Sequence, residues 1–507
     1  MKRIRIITTL LVGIMTVGIL TGCGNKDEGK NEVGKSVEVT MLYADNANYP
    51  YKEDWKVWDI IEENTGVTFD VQAVPESDYV AKQQLVFNSG DIPSIVTKTF
   101  ASSEDAMSGL LLPISDYVDE MPNFKKFVEE NGMTEELNNT RMADGKYYTL
   151  PVKAHTSRLQ DQQWLIRTDI FEENNIPVPT TLDELHAAGV KLKELYPDST
   201  PITNRFGSGN IMAGLSSAFG TNAGWTIGNG MYYNKDKDEW VFSPASDEWK
   251  EMLQYTNKLV NDGVLDQEFA TLDSTVYEQR IVQGDTFMMY DWAGNITRYN
   301  LQGKENDENY NVAPIYPVEG KDGKYAISWK SQGSQGWVFP ATLADDEEQL
   351  DAVLRLIDWC YTDEAETLLT FGIEDETYVT DENGTLKYKD ENVDYGATMG
   401  LNNNSLAVRE HDHALFGALN AEQIALFDKI AEDGCVPAPN PESPLSMEKI
   451  EETKVYASTL LDYANSMMEN FIFGKESFDN WDEFVKGCEE RKCRDLEKEY
   501  NDAWKNK

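Results

Sequence analysis

The stretch from Ser36 to Val74 constrains the architecture most. Ser36 to Tyr43 alternates and then turns apolar, as a strand does. Asp45-Asn46-Ala47-Asn48-Tyr49-Pro50 follows as a polar loop. Trp55, Val57, Trp58, Ile60 and Ile61 suit one helix, and Thr65-Gly66 ends it. Val67 to Val74 is a second strand. Strand, loop, helix and strand in this order predict a parallel pair, hence an α/β fold. In open parallel sheets, ligands gather beyond the carboxyl ends of strands. Tyr43, Asp45, Asn46 and Asn48 occupy that place and are candidate binding residues. A solvated loop with Asx turns is the plainer reading of them.

Further along, Tyr79 to Phe87 reads as a helix, and Ser89-Gly90-Asp91-Ile92-Pro93 as a turn before a strand at Ile95. Lys98 and Phe100 stand at that strand's end, again on the side of the expected cleft. Asp144-Gly145 signals a turn. Tyr147 to Val152 is an extended apolar-aromatic run in which Pro151 forbids a helix. Trp164 to Ile166 is another strand candidate, after which Thr168 or Asp169 suits a helix cap. Thr180 or Thr181 starts a further helix. Trp249 to Asn261 and Glu347 to Tyr361 are helices by their patterning.

The chain starts with basic Lys2, Arg3 and Arg5, then an apolar run from Ile6 to Leu20, then Thr21-Gly22-Cys23. A run this short, behind basic residues and before small ones, predicts a secretory signal rather than a membrane span. Leu20-Thr21-Gly22-Cys23 resembles a bacterial lipobox, which implies cleavage before Cys23 and lipid on that cysteine. A plain signal peptide with an accidental cysteine is the alternative. Gly24 to Ser36 reads as a flexible tether. The formal charge is −44, which excludes nucleic acid as a partner and opposes wide contact with anionic lipid. Cys360, Cys435, Cys488 and Cys493 remain. Four cysteines allow three pairings, and free, half-buried thiols are the preferred reading. The chain carries no Walker A, HExxH, GxSxG or CxxC pattern, and no cofactor or metal is expected.

Several segments in order carry a family resemblance. These include Ser89-Gly90-Asp91-Ile92-Pro93, Gly109-Leu110-Leu111-Leu112-Pro113, Gly263-Val264-Leu265-Asp266, Gln283 to Tyr290, and Phe371-Gly372-Ile373-Glu374. Together with the turn, strand, crossover, strand and helix of Asp144 to Leu185, they resemble extracellular solute-binding proteins of ABC importers. The group is the sugar-binding family 1, in particular its LplA-like branch. Departures are small: Ser94 stands where Asp is common, and Asp375 where Gly is. The resemblance implies a periplasmic-binding-protein-like type II fold, two α/β lobes joined by crossover hinge strands.

On that basis the signal occupies 1–22 and the lipidated cysteine with its tether 23–36. Lobe 1 takes 37–152, lobe 2 takes 153–312, lobe 1 resumes at 313–375, and 376–507 is lobe 2 with C-terminal helices. Asn311 to Val318 is then the second crossover. In sugar-binding relatives an aromatic side chain stacks on a pyranose at the place of Trp292, which makes Trp292 the leading ligand residue, with Asp291 beside it. Arg158, Arg205, Trp225, Ser331, Gln332 and Ser334 are further candidates for the cleft. Burial in the core is the alternative for Trp225. The implied function is capture of a carbohydrate, an oligosaccharide in particular, and delivery to ABC permease transmembrane subunits by a monomer anchored outside the cell membrane. A peptide or anionic solute steered by Lys98, Arg158 and Arg205 is the alternative, and a glycan-active enzyme or an adhesin a more distant one. The segment Tyr196-Pro197-Asp198-Ser199-Thr200 lacks the calcium loop of some relatives. His411 and His413 without a third ligand are weak evidence for a metal.

Overall fold

A computed structural model describes residues 36–505, apart from 47–48, 100–104, 107, 143, 151–152, 155–161, 329–335, 383, 385, 391–392, 404, 407, 411–418, 439 and 442. The strand Val37–Asp45 pairs in parallel with Val67–Pro75, from Val37 opposite Val67 to Asp45 opposite Pro75. The helix between them, Lys56–Thr65, stops at Gly66, whose φ of 68° is left-handed and whose N–H donates to the Glu62 carbonyl at 2.8 Å. Ile95–Thr99 adds in parallel on the other side of the first strand, and Gly336–Val338 closes the edge antiparallel. The period of two sends Val39, Met41 and Tyr43 into one core, while Leu42 and Ala44 enter a smaller core on the opposite face. A sheet buried on both faces makes this the first lobe.

The second lobe repeats the logic. Its sheet runs in the order Val312–Pro314, Gln162–Arg167, Met288–Trp292 and Ile202–Thr203. Gln162 lies opposite Trp292 in an antiparallel pair, and Ile202 opposite Met288 in a parallel one. Trp164, Ile166, Met288 and Tyr290 face the large core, whereas Leu165 and Met289 face the other side. Thr181 caps the helix Leu182–Leu195 by accepting from the Glu184 N–H at 3.2 Å. The helix Thr168–Glu173 has no side-chain cap. There Asp169 sits in the first turn and takes a hydrogen bond from Arg167 Nε at 2.9 Å.

Three expectations about the chain's path need correction. Residues 147–150 form no ladder; Tyr147 and Leu150 pack into the first lobe's core instead. The segment after Val312 does not return to the first lobe at 313. Ile315, Val318 and Ala326 belong to the second lobe's core, and Ile327 packs with Ile430 and Cys435. Ser328 still pairs with Tyr290 of the second lobe, and Gly336 is already in the first lobe's sheet. Nor does 376 begin a stay in the second lobe. Tyr395, Leu401, Leu406 and Val408 fill the first core, and Asn403 Nδ2 donates to Tyr43 Oη at 2.6 Å. Chain 409–410 then pairs in parallel with 153–154, so two stretches that both leave the first lobe for the second lie side by side as a hinge ribbon. Beyond it, Met447–Ile472, Trp481–Glu490 and Cys493–Lys505 are helices that pack on the second lobe. Cys360, Cys435, Cys488 and Cys493 are free and buried. Among the described residues, no helix is long and apolar enough to cross a membrane.

Candidate functional site

The carboxyl ends of Met288–Trp292 and Ile202–Thr203 point the same way, because the two strands are parallel. Beyond those ends stand Trp292 and Phe206, and Trp225 comes up from the loop after the helix Gly209–Phe219. The ring centroids lie 5.7 Å apart for Trp225 and Trp292, 5.9 Å for Phe206 and Trp292, and 5.9 Å for Phe206 and Trp225. Phe206 is 46 % exposed and Trp225 51 %. A Trp and a Phe that exposed within one contiguous patch are the kind of apolar surface that marks a binding site. Two local devices hold the patch. Phe206 has a φ of 63°, a left-handed conformation that costs a bulky residue of order 1–3 kcal/mol. Gly209 lets the Trp225 indole lie against the backbone, since a Cβ there would come within 2.2 Å of its ring nitrogen.

Under the rings lies a buried charge network. Asp291 is fully buried and accepts from Arg205 Nη2 at 2.8 Å, Tyr277 Oη at 2.9 Å and Tyr299 Oη at 2.5 Å. The Trp292 N–H also donates to it, at 2.8 Å, which ties the platform's own backbone to the network. Burial pushes the Tyr277 and Tyr299 hydroxyls well up and the Asp291 charge adds to this, so both stay donors. Burial works against the Arg205 charge, but Asp291, Tyr299 and Tyr277 together outweigh it and keep the guanidinium protonated. That guanidinium also lies 4.8 Å from the Phe206 ring centroid and 5.4 Å from that of Trp292. Glu278 pairs with Arg205 at 3.2 Å and with Arg298 at 2.7 Å, where Arg298 reaches the surface.

In the first lobe, Asp45 accepts from the Tyr51 N–H at 2.7 Å, and Asn46 Nδ2 donates to Glu76 at 3.0 Å. Lys98 pairs with the same Glu76 at 2.5 Å. Burial, then Glu76, pushes the Tyr49 hydroxyl up, and Arg298 of the second lobe pulls it the other way.

The sequence-predicted residues divide accordingly. Trp292 and the first-lobe group Asp45, Asn46 and Lys98 stand at strand ends, and Trp225 joins Trp292 from the loop after the helix Gly209–Phe219. Asp291 and Arg205 are corrected as ligand contacts, because Asp291 is 0 % and Arg205 6 % exposed and each is occupied by the other. Tyr43 is corrected likewise: it is 0 % exposed and its hydroxyl serves Asn403. Asn48, Phe100, Arg158, Ser331, Gln332, Ser334, His411, His413 and Cys23 lie outside the described residues. Phe206, Glu278 and Arg298 were not singled out. For Phe206 a signal existed, an aromatic before Gly207 directly after a strand end. Glu278 and Arg298 sit on helices and carry none.

Two α/β lobes on a hinge ribbon, with an aromatic platform at the strand ends, define a solute-binding protein of the periplasmic type II class. The chain belongs to the bacterial extracellular solute-binding protein family, whose model matches residues 56–371. It is 26 % identical over 397 residues to the polygalacturonan/rhamnogalacturonan-binding protein YtcQ of Bacillus subtilis strain 168, covering 76 % of each chain. Among solved structures it resembles the alginate-binding protein AlgQ2 without calcium ion, with a TM-score of 0.75 at 17 % identity over 93 % of this chain and 98 % of that one. It also resembles the substrate-binding protein FusA of S. pneumoniae in complex with kestose, with a TM-score of 0.71 at 18 % identity over 93 % and 99 %.

Proposed function

We propose that this chain is the carbohydrate receptor of an ABC importer, anchored outside the cell by lipid on Cys23. It closes its lobes about the hinge ribbon on an oligosaccharide and presents the closed form to a membrane permease. The observation that carries this reading is the exposed platform of Phe206, Trp225 and Trp292, whose faces suit the apolar faces of sugar rings. The half-exposed polar groups around it suit hydroxyls. The named relatives, which bind polygalacturonan, alginate and kestose, support the same class of solute. The chain captures its ligand and does not cleave it. Closure follows from differential affinity, since a ligand touching both lobes favours the closed state. Calorimetric titration with oligosaccharides, peptides and organic acids tests this. Binding of a glycan, recovered unchanged by chromatography and weakened in Trp292→Ala, is the expected result. Binding confined to peptides or acids would overturn it.

A further inference from the structure

We infer that Arg409 is the positioning residue of lobe closure: it clamps the hinge ribbon to the first lobe, so that the lobes turn about one fixed pivot. The inference rests on the two lobes and their ribbon, whichever solute the cleft takes. Arg409 belongs to the ribbon itself, opposite Lys153. Its side chain turns back into the first lobe and is 3 % exposed. There Nη1 donates to the Tyr361 carbonyl at 2.9 Å and to Asp363 Oδ1 at 3.0 Å, and Nη2 pairs with Glu366 at 2.5 Å. The guanidinium carbon also lies 5.0 Å from the centroid of Phe127, a ring of the first core. Tyr361 follows the last turn of the helix Glu347–Cys360, the end at which a helix is partly negative. Asp363 and Glu366 stand in the first turn of the helix Asp363–Phe371. One planar group thus ties the end of one first-lobe helix and the start of the next to a single position on the ribbon.

A clamp of this kind fixes direction as well as place. Apolar packing is non-directional, whereas a guanidinium fork meets several acceptors at set angles. Parting it from Glu366, itself 6 % exposed, would strand buried charge, so this point of the ribbon travels with the first lobe. The chain before it is held to the same body. Leu406 and Val408 pack in the first core, the Ser405 hydroxyl donates to the Ala44 carbonyl at 2.8 Å, and Trp337 Nε1 donates to the Ser405 carbonyl at 3.1 Å. Ala44 is next to Asp45 at the end of the first strand, so the clamp and the first-lobe site residues share one frame. The second lobe has its own grip. Gln162 Nε2 donates to Asn210 Oδ1 at 2.9 Å, Asn210 Nδ2 to the Tyr290 carbonyl at 2.7 Å, and the Ser328 N–H to Tyr290 Oη at 2.9 Å, all among buried residues. With both lobes gripping the chain, the spread of lobe orientations is set by how firmly each grip holds, and Arg409 is the one that engages the ribbon.

The test reads the interlobe distance without any solute, so its outcome is separate from that of the carbohydrate reading. Spin labels on Leu85→Cys in the first lobe and Val455→Cys in the second, both at exposed helix positions, are measured by pulsed dipolar electron resonance in a Cys23→Ser background. The remaining thiols are buried. Arg409→Met combined with Glu366→Gln removes the pair without leaving a buried charge alone. The expected result is a distance distribution roughly twofold wider than in the labelled parent, with Arg409→Lys, which keeps the charge but not the fork, in between. A merely structural role is checked with Asp358→Ala, which uncaps the first-lobe helix Pro122–Glu130 and leaves the ribbon alone. That variant should melt at a lower temperature and keep the parent's distance distribution. An unchanged width in the double variant overturns the inference, as does equal broadening in Asp358→Ala. Should the double variant not fold, Arg409→Lys decides, and an unchanged width there overturns it.

Discussion

At the scale of single residues, Trp292 and its neighbour Asp291 do different work. Trp292 shows part of its ring to solvent and leans on Trp225 and Phe206, so Trp292→Ala removes stacking surface more than core. Glycan affinity should fall by about 1.5 kcal/mol, roughly tenfold, with little change in the ligand-free melting temperature. Asp291→Ala instead leaves the Arg205 guanidinium buried without its main counter-charge and two tyrosine hydroxyls without an acceptor. The expected loss of stability is about 3–5 kcal/mol, read from the urea midpoint. Sequence placed these two residues together but could not separate their roles, because the alternation that buries one and exposes the other depends on which face the core occupies. The buried thiols give a prediction with a pH sign. Burial pushes Cys488 up to about 12 and Cys493 to about 11, from an ordinary 9.0. The unfolded chain therefore loses these protons first, and the contribution to stability, whole below pH 9, is lost as pH rises towards those values. Cys488→Ala should shrink that alkaline loss in denaturant titrations. In the native protein at pH 8, Ellman's reagent should find both thiols unreactive until the chain unfolds.

At the scale of elements, the loops after strands carry the site and the strands themselves carry the fold. The loop at Phe206 shows the division. Its left-handed backbone suits glycine, and the phenylalanine keeps it for the sake of its ring. Phe206→Gly should therefore hold or raise the melting temperature while weakening glycan binding, and a parallel fall in both would show that the ring is needed for folding rather than for the platform. The first strand, its helix and the second strand were legible in sequence because each obeys one period and ends at a clear stop, Gly66 for the helix. The strand at Met288 was reached through the family resemblance of Gln283 to Tyr290 and not through a period, since its residues are buried on both faces. The crossings were misplaced at 313 and 376 because they join elements that are apolar on both sides. Val318 and Ile327 look no different in sequence from the core residues of the other lobe. Arg205 was misread as a ligand residue because a charge in a Gly-rich loop gives no sign of a partner 86 positions away.

At the scale of the whole molecule, the two lobes have separate large cores and share the ribbon where 153–154 pairs with 409–410. Separate cores let each lobe move as a body, and a short ribbon confines the change to few residues. Outside the platform the groups named on the two lobes are polar, Asp45, Asn46 and Lys98 on one and Glu278 and Arg298 on the other. Polar surfaces without a ligand gain little by meeting, since each would exchange water for an imperfect partner. A ligand that offers the platform its apolar faces and both lobes its hydroxyls changes that balance. Closure should then follow the ligand's differential affinity and appear as a smaller radius of gyration in solution scattering. The same ligand should raise the melting temperature in proportion to the logarithm of its concentration. Arg298→Ala removes a polar group that faces the other lobe and leaves the Trp225–Trp292 pair in place. It is expected to reduce the compaction at saturating glycan more than it reduces stacking, so binding persists with a smaller change in radius. Full compaction in that variant would place the closing contacts elsewhere than at Tyr49 and Arg298.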